Sequence, residues 1–151
     1  MTDYTLRKGD CLELMKDIPD GSIDMVLCDL PYGTTACKWD TVIPFPALWE
    51  EYKRIIKPKA AIVLFGSEPF STQLRNSNLK MYRYDWVWNK VRGVGHLNAK
   101  RRPMICCENI SVFYCKQPAY NPPDERTREE QTKQEQQSPT SIRKIKRKFL
   151  W

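Results

Sequence analysis

A short apolar segment that ends abruptly in Asp-Leu-Pro-Tyr-Gly constrains this chain more than any other feature. Residues 23–27 read Ile-Asp-Met-Val-Leu, a pattern that favours a largely buried β-strand. Pro31 fixes its own backbone φ and stiffens the turn that follows, and Gly33 lets the backbone leave sharply. The sequence therefore predicts a strand whose carboxyl end presents a carboxylate, Asp29, beside an aromatic ring, Tyr32.

Asp29 and Tyr32 together suit the recognition of a flat, polar amine. A carboxylate can accept a hydrogen bond from an exocyclic amino group, and an aromatic ring can stack on the ring that carries this group. The alternative is a purely structural role, in which Tyr32 belongs to the core and Asp29 caps the next turn.

Strand and helix patterns alternate along the chain, which predicts an α/β fold. Strands are expected at residues 4–8, 23–28, 60–65, 82–88 and 109–114, and helices at 11–16, 46–57 and 68–76. The nearly unbroken apolar run at 60–65 is typical of a parallel strand covered on both faces. We therefore expect a mostly parallel sheet with helices on both faces. Ligands bind beyond the carboxyl ends of such strands, so Asp10, Asp29 and the Phe65-Gly66 pair would line one cleft.

Composition separates the chain into two parts and suggests a polyanionic partner. The 25 Lys and Arg residues exceed the 18 Asp and Glu residues, which gives a formal net charge of +7. Residues 1–122 contain all the predicted elements. Residues 123–151 form a polar and then basic tail that is too poor in apolar residues for a core, so it is expected to be disordered. The basic end of the tail suits either a nucleic-acid arm or the remnant of a following region.

The chain has six cysteines without a Cys-x-x-Cys pair and a single histidine, His96, so no metal site is predicted. No segment has the length and apolarity of a signal peptide or a membrane span. A cytoplasmic protein with free thiols is the simplest interpretation.

Residues Asp29, Leu30, Pro31 and Tyr32 resemble the Asp-Pro-Pro-Tyr motif of amino-group DNA methyltransferases. Segments similar to adenine-specific members with a permuted motif order occur in the expected sequence, and the resemblance covers roughly residues 3–122. These segments are residues 9–14, 18–24, 64–67, 86–90, 98–103 and 108–113. Leu30 replaces the commoner proline, but the group needed there is a main-chain carbonyl, so the change need not remove activity.

The resemblance implies a Rossmann-like methyltransferase sheet that transfers a methyl group from S-adenosylmethionine to the N6 amino group of adenine in double-stranded DNA. Asp29, Leu30, Pro31 and Tyr32 would be the catalytic residues. The Asp29 carboxylate and the Leu30 carbonyl would accept the two amino hydrogens, and Tyr32 would hold a base extruded from the duplex. Aspartate rather than serine at position 29 favours adenine over cytosine in this family.

The resemblance also implies a cofactor site that contains Asp10, Cys11, Asp29, Phe65 and Gly66. From the residues alone, Asp10 is equally suited to capping a helix, and Gly66 to a strand-to-helix turn. A basic, glycine-containing segment is the candidate DNA contact, although an ordinary solvated charge cluster is the alternative. Its residues are Lys90, Arg92, His96, Asn98, Lys100, Arg101 and Arg102.

The glycine-rich Phe-x-Gly-x-Gly loop that binds the methionine part of the cofactor in this family has no counterpart after residue 122. The chain is therefore expected to be the target-base half of such an enzyme. It could be a non-catalytic DNA-binding remnant, one chain of a split methyltransferase, or a homodimer that completes the sheet. An RNA or protein amine methyltransferase is a further alternative. The resemblance also suggests a role in restriction-modification and a prophage or plasmid origin.

Overall fold

A computed structural model describes residues 4–121 and contains, within this range, four β-strands and three α-helices. In chain order these are α1 (Cys11–Lys16), β1 (Ile23–Asp29), α2 (Phe45–Ile55), β2 (Ile56–Gly66), α3 (Phe70–Ser77), β3 (Tyr82–Val94) and β4 (Ile105–Phe113), with a short 3-10 helix at His96–Asn98. The predicted order of elements from α1 onward is confirmed. The strand expected at residues 4–8 is wrong, because these residues form no strand. The tail at 123–151 lies outside the described residues.

The strands form one sheet in the order β1-β2-β4-β3. β1 and β2 are parallel, whereas β2 with β4 and β3 with β4 are antiparallel. The α/β class is confirmed, but the expectation of a mostly parallel sheet is wrong. The reason is the connection between β3 and β4, which contains only a short 3-10 helix and no crossover helix, so the two strands run in opposite directions.

The hydrophobic core lies between the helices and one face of the sheet. Leu48 of α2 and Leu74 of α3 are fully buried, and they belong to the same cluster as Ile62, Leu64 and Phe113 of the sheet. In α2 the buried positions recur every three or four residues, which places them on one side of the helix. Each such side chain contributes roughly 1.5–3 kcal/mol through the removal of apolar surface from water.

The opposite face of the sheet is apolar but is not covered by a helix within residues 4–121. Leu27, Trp86 and Trp88 are 59%, 49% and 48% exposed, and Met25 is 56% exposed. Alternation along the strands puts these side chains on one side, which we call the open face. Helices on both faces were therefore a wrong prediction for the described residues, since all three helices contribute to a single core cluster.

Arg54 ties α2 to the end of α1. Its guanidinium donates hydrogen bonds to the main-chain carbonyls of Ile18 and Met15, at 2.8 and 2.7 Å, and to the carboxylate of Glu51 at 2.7 Å. Carbonyl groups at a helix end lack hydrogen-bond donors within the helix, and a cationic side chain nearby can donate to them. This contact fixes α1 against α2 and so sets the position of the segment that leads into β1.

The helices of the described range are all short, and none is long and apolar enough to cross a membrane. Between residues 4 and 121, no group of three or more His, Cys, Asp and Glu side chains is gathered in a way that could hold a metal ion.

Candidate active site at the ends of the parallel strands

The parallel strands β1 and β2 end side by side, and their last residues form one wall of a cavity. Asp29 lies directly opposite Phe65 in the strand register. With Trp88 and Ile110 from the antiparallel strands, these two residues line a cavity of about 410 Å³. The sequence predicted that Asp29 and Phe65 would meet at one edge of the sheet, and in the structure they do. The cavity is mostly apolar and has a single carboxylate in its lining.

Tyr32 is in direct contact with Asp29. Its hydroxyl group donates a hydrogen bond to Asp29 Oδ1 at 2.6 Å, and its ring stacks on Phe70 with centroids 5.0 Å apart and planes inclined by 26°. Burial, together with the hydrogen bond to Asp29, raises the pKa of Tyr32 above its usual value, so the phenol stays protonated and acts as a donor. A carboxylate has about four acceptor positions, so Asp29 retains acceptor capacity for a further N–H group.

The residues between Asp29 and Tyr32 attach the turn to the core. The Leu30 side chain is 6% exposed and belongs to the same core cluster as the helices. Pro31 is half-buried and restricts the backbone between Leu30 and Tyr32. The leucine that departs from the family motif therefore serves packing through its side chain, while its main-chain carbonyl is independent of this substitution.

Asp40 organises the loop that follows Tyr32, and sequence reasoning did not identify it. Its carboxylate accepts hydrogen bonds from the backbone N–H groups of Gly33, Thr34 and Thr35, at 2.8, 2.9 and 2.7 Å. Hydrogen bonds from the Thr35 side chain and from the Gly33 backbone lower the pKa of Asp40 to about 2, so the residue is ionised at neutral pH. The only sequence signal was a lone aspartate within a loop rich in threonine, which is too common to single it out.

Gly33 is required where the loop begins. Its φ of +67° is in the left-handed region that favours glycine, and a Cβ atom there would lie 2.9 Å from a methyl group of Val42. The sharp change of backbone direction that the sequence predicted at Gly33 is therefore present.

Lys90 contacts the cavity-lining residue Trp88 and is paired with Glu108. The Lys90 ammonium group donates to Glu108 Oε1, and it lies 5.6 Å from the ring centroid of Trp88. The side chains of the pair are only 19% and 16% exposed. Lys90, one of the predicted DNA-binding residues, is thus engaged beside the cavity, and the pairing with Glu108 was not foreseen.

The other predicted DNA-binding residues are all exposed, and they lie together in residues 92–102, which we call the basic turn. They are Arg92, His96, Asn98, Lys100, Arg101 and Arg102. Gly95 adopts a left-handed conformation with φ of 88°, and the Asn98 carbonyl accepts the N–H groups of Arg101 and Arg102 at 2.8 and 3.0 Å. These bonds compact the backbone and bring the cations into a short stretch of surface.

Asp10, Cys11 and Gly66, also predicted to hold the cofactor, do not line the 410 Å³ cavity. Asp10 is the N-cap of α1 and accepts the Leu12 N–H at 2.8 Å. Cys11 lines a separate cavity of about 480 Å³ next to α1. A Cβ atom at Gly66 would be 2.6 Å from Ser71 Oγ, so the glycine permits close packing against α3. Of the five candidates, only Asp29 and Phe65 line the 410 Å³ cavity.

Comparisons with known proteins find similarity to DNA methyltransferases. No protein-family model matches the chain. The type II methyltransferase M.HinfI of Haemophilus influenzae is 27% identical over 139 residues, a match that covers 74% of this chain and 37% of the relative. The chain therefore spans little more than a third of the length of this curated relative.

Two solved structures share the fold. PvuII DNA methyltransferase, described as cytosine-N4-specific, superposes with a TM-score of 0.59 at 14% identity, over 75% of this chain and 50% of that chain. The M1.HpyAVI–SAM complex superposes with a TM-score of 0.56 at 17% identity, over 77% of this chain and 59% of the other. The resemblance to amino-group DNA methyltransferases is thus confirmed: the chain is similar in sequence to a type II methyltransferase and shares part of the fold of PvuII DNA methyltransferase.

Proposed function

We propose that residues 1–122 are the target-base half of a DNA methyltransferase, which transfers a methyl group from S-adenosylmethionine to the N6 amino group of adenine in double-stranded DNA. The observation that carries this proposal is the Asp29 carboxylate, which lines an apolar cavity at the strand ends while the Tyr32 hydroxyl holds one of its oxygens. The similarity of this chain to the type II methyltransferase M.HinfI supports DNA as the substrate.

The chemistry rests on positioning an amine. The lone pair of an exocyclic amino group is delocalised into its ring, so the group is a poor nucleophile until hydrogen-bond acceptors localise that pair. The Asp29 carboxylate would accept one N–H and the Leu30 main-chain carbonyl the other, while Pro31 stiffens the backbone between the motif's ends. Tyr32 donates to Asp29 and so keeps the carboxylate oriented without competing for the substrate's hydrogens. This assistance is electrostatic and geometric and needs no covalent intermediate.

Aromatic surface is available for a base extruded from the duplex. One face of the Tyr32 ring is already stacked on Phe70, so a base would use the other face. The base would therefore stack on Tyr32, because the neighbouring rings of Phe65 and Trp88, with centroids 5.9 Å apart, line the cavity proposed for the cofactor. Stacking on such rings would offset part of the cost of unpairing the base.

The cavity lining fits S-adenosylmethionine in its chemistry. Asp29 offers an acceptor for an amino group, and Phe65 and Trp88 offer flat apolar surface for a purine. When bound, S-adenosylmethionine supplies an electrophilic methyl group. M1.HpyAVI, which shares the fold, was solved as a complex with SAM, and this supports the same cofactor here. Asp29 and Phe65 line this cavity and Asp10 does not, so Asp29 and Phe65 would have the larger part in holding the cofactor.

The basic turn supplies the proposed DNA contact. Arg92 near the end of β3, and Lys100, Arg101 and Arg102 in the connection to β4, are all exposed, and the same two strands provide Trp88 and Ile110 to the cavity. Phosphate contacts at this turn would orient the duplex without reading its sequence. Lys90 would stay paired with Glu108 rather than act as a free phosphate ligand.

The preference for adenine over cytosine is the most specific claim about the proposed substrate. The same two acceptors would serve the N4 amine of cytosine, and PvuII methyltransferase is described as cytosine-N4-specific. Adenine is proposed because aspartate rather than serine occupies position 29. Mass spectrometry of digested DNA decides between the two, since N6-methyladenine and N4-methylcytosine are separate products.

A further polypeptide is proposed to complete the sheet, either as a second chain or as a second copy of this one. Within residues 4–121, β1 has a strand neighbour on one side only, and Met25, Leu27 and Trp86 leave the open face apolar and exposed. Such a face and edge favour association with other chains. Sedimentation velocity over a range of concentrations would reveal a homodimer, and a monomer at all concentrations would contradict it.

The decisive experiment is methyl transfer from labelled S-adenosylmethionine to adenine-containing duplexes, preceded by calorimetry with the cofactor alone. Asp29→Ala should abolish transfer and leave the fold intact. Asp24→Ala is the matched control, since Asp24 lies on the same strand and pairs with Lys57 on the surface. Undiminished transfer in Asp29→Ala would refute the assigned role. DNA binding without cofactor binding would favour the alternative, a DNA-binding module without catalysis.

A further inference from the structure

We propose that Asp40 is a positioning residue for the candidate active site. By fixing the loop after Tyr32, Asp40 keeps the Tyr32 ring and hydroxyl group in place beside Asp29. This inference rests on the proposed function of Asp29 and Tyr32. Asp40 is not among the residues that line the 410 Å³ cavity, and it acts through the loop that follows the motif.

The first step is the convergence of three consecutive N–H groups on one side chain. Gly33 donates to Asp40 Oδ1, while Thr34 and Thr35 donate to Oδ2. Backbone N–H groups that point at one anion form a rigid concave arrangement, and hydrogen bonds to a charged acceptor are stronger than neutral ones. The Asp40 side chain therefore fixes three successive peptide units of the loop.

The second step is the position of these peptides immediately after Tyr32. The Tyr32 side chain is held at its ring by Phe70 and at its hydroxyl by Asp29. The backbone next to it passes through Gly33, the residue type with the greatest conformational freedom. Without an anchor beyond Gly33, the loop could rearrange at this glycine and carry the Tyr32 backbone with it.

The third step is that Asp40 is itself well held. It is 8% exposed, and its own N–H donates to the Cys37 carbonyl at 3.0 Å. The carboxylate thus has a defined place between the start and the end of the loop. A buried carboxylate with three donors is a costly arrangement to break, because removal of the acceptor leaves N–H groups unsatisfied.

The test is NMR spectroscopy of the full chain with 13C-labelled tyrosine rings, without DNA or cofactor. The Tyr32 ring signal is assigned with Tyr32→Phe, and stacking on Phe70 gives it a ring-current shift. We expect Asp40→Asn and Asp40→Ala to move this signal toward the value of an unstructured tyrosine. The signals of the buried residues Tyr52 and Tyr114 should stay in place, and Asp24→Asn, the control, should move none of them.

Two results would overturn the inference. One is an unchanged Tyr32 signal in a variant whose Gly33–Thr35 amides have lost their protection from hydrogen exchange. The other is loss of the Tyr52 and Tyr114 signals together with that of Tyr32 in the near-isosteric Asp40→Asn, which would make Asp40 a general stability residue.

Activity adds a second readout that separates this inference from the proposed function. If the wild-type chain transfers methyl groups, Asp40→Asn should lower kcat by up to about 100-fold and change KM for S-adenosylmethionine little, as expected for misplaced reacting groups. A rise in KM alone would contradict positioning. If the wild-type chain is inactive, the proposed function fails, whereas the ring signal of Tyr32 still decides the role of Asp40.

Discussion

The two faces of the sheet differ in how far their side chains are buried. On the covered face, α1, α2 and α3 bury Ile62, Leu64 and Phe113 almost completely. On the open face, Leu27 and Trp86 remain half exposed although they are equally apolar. The packed core therefore lies on one face, while the cavity beside Asp29 is lined by residues of the other.

The largest expected effect comes from truncating a side chain on each face. Leu64→Ala on the covered face should lower the free energy of unfolding by about 2–5 kcal/mol, since it leaves a cavity in a packed core. The matched change Leu27→Ala on the open face should cost less than about 1 kcal/mol, because this leucine is 59% exposed. Urea denaturation followed by circular dichroism measures both. Equal losses would show that the open face is covered in solution.

Association tests the open face directly. Leu27→Lys and Trp86→Lys should each reduce concentration-dependent self-association, because a charge on an exposed apolar strand opposes pairing. Light scattering at increasing protein concentration provides the measurement, with Leu79→Lys as a control at an exposed leucine outside the sheet. If the control reduces association equally, net charge rather than the open face is responsible.

Acid unfolding tests how much the Asp40 carboxylate, which anchors the loop after Tyr32, contributes to the stability of the fold. The folded-state pKa of Asp40 is about 2 against an ordinary value of 3.8, so the bound proton favours the unfolded chain. The stabilisation that this carboxylate provides is complete above about pH 4 and is lost as the pH falls toward 2. Unfolding midpoints measured between about pH 2 and pH 6 should therefore fall less steeply for Asp40→Asn than for the wild type. Parallel acid limbs would contradict this assignment.

The smallest effect concerns the basic turn. Arg101→Ala and Arg102→Ala should each lower the slope of log binding constant against log salt by about 1, as expected for one lost phosphate contact. Lys57→Ala is the control, because Lys57 pairs with Asp24 at the surface. Fluorescence anisotropy with a labelled duplex at several salt concentrations gives the slopes, and an unchanged slope in both variants would remove the turn from the DNA interface.

Much of the fold was predictable because it depends on neighbours in sequence. Helix α1 was predicted with the bounds that the structure has, and β1 to within one residue, since apolar spacing and turn residues determine both. β3 was predicted only as far as residue 88, whereas it extends to Val94. Its outer half pairs with β4 at few positions, so no strong apolar pattern marked it.

The candidate site was predictable in part for the same reason. Asp29 and Phe65 lie at the carboxyl ends of apolar strands, and such ends meet at one edge of a parallel pair. The pairing of Lys90 with Glu108 could not be predicted, because 18 residues separate them and the antiparallel register brings them together. Asp40 was missed because its partners are backbone N–H groups, which every residue except proline carries.

The sequence by itself determined the strand that ends in Asp-Leu-Pro-Tyr-Gly, the order of the helices and strands, and the surplus of positive charge, because these follow from residue type and local spacing. Only the tertiary structure decided that β4 enters the sheet antiparallel beside β2, that one face stays open, and that Asp40 holds the loop after Tyr32. These features depend on contacts between residues distant in the chain, whose free energies are realised only when the whole sheet is assembled.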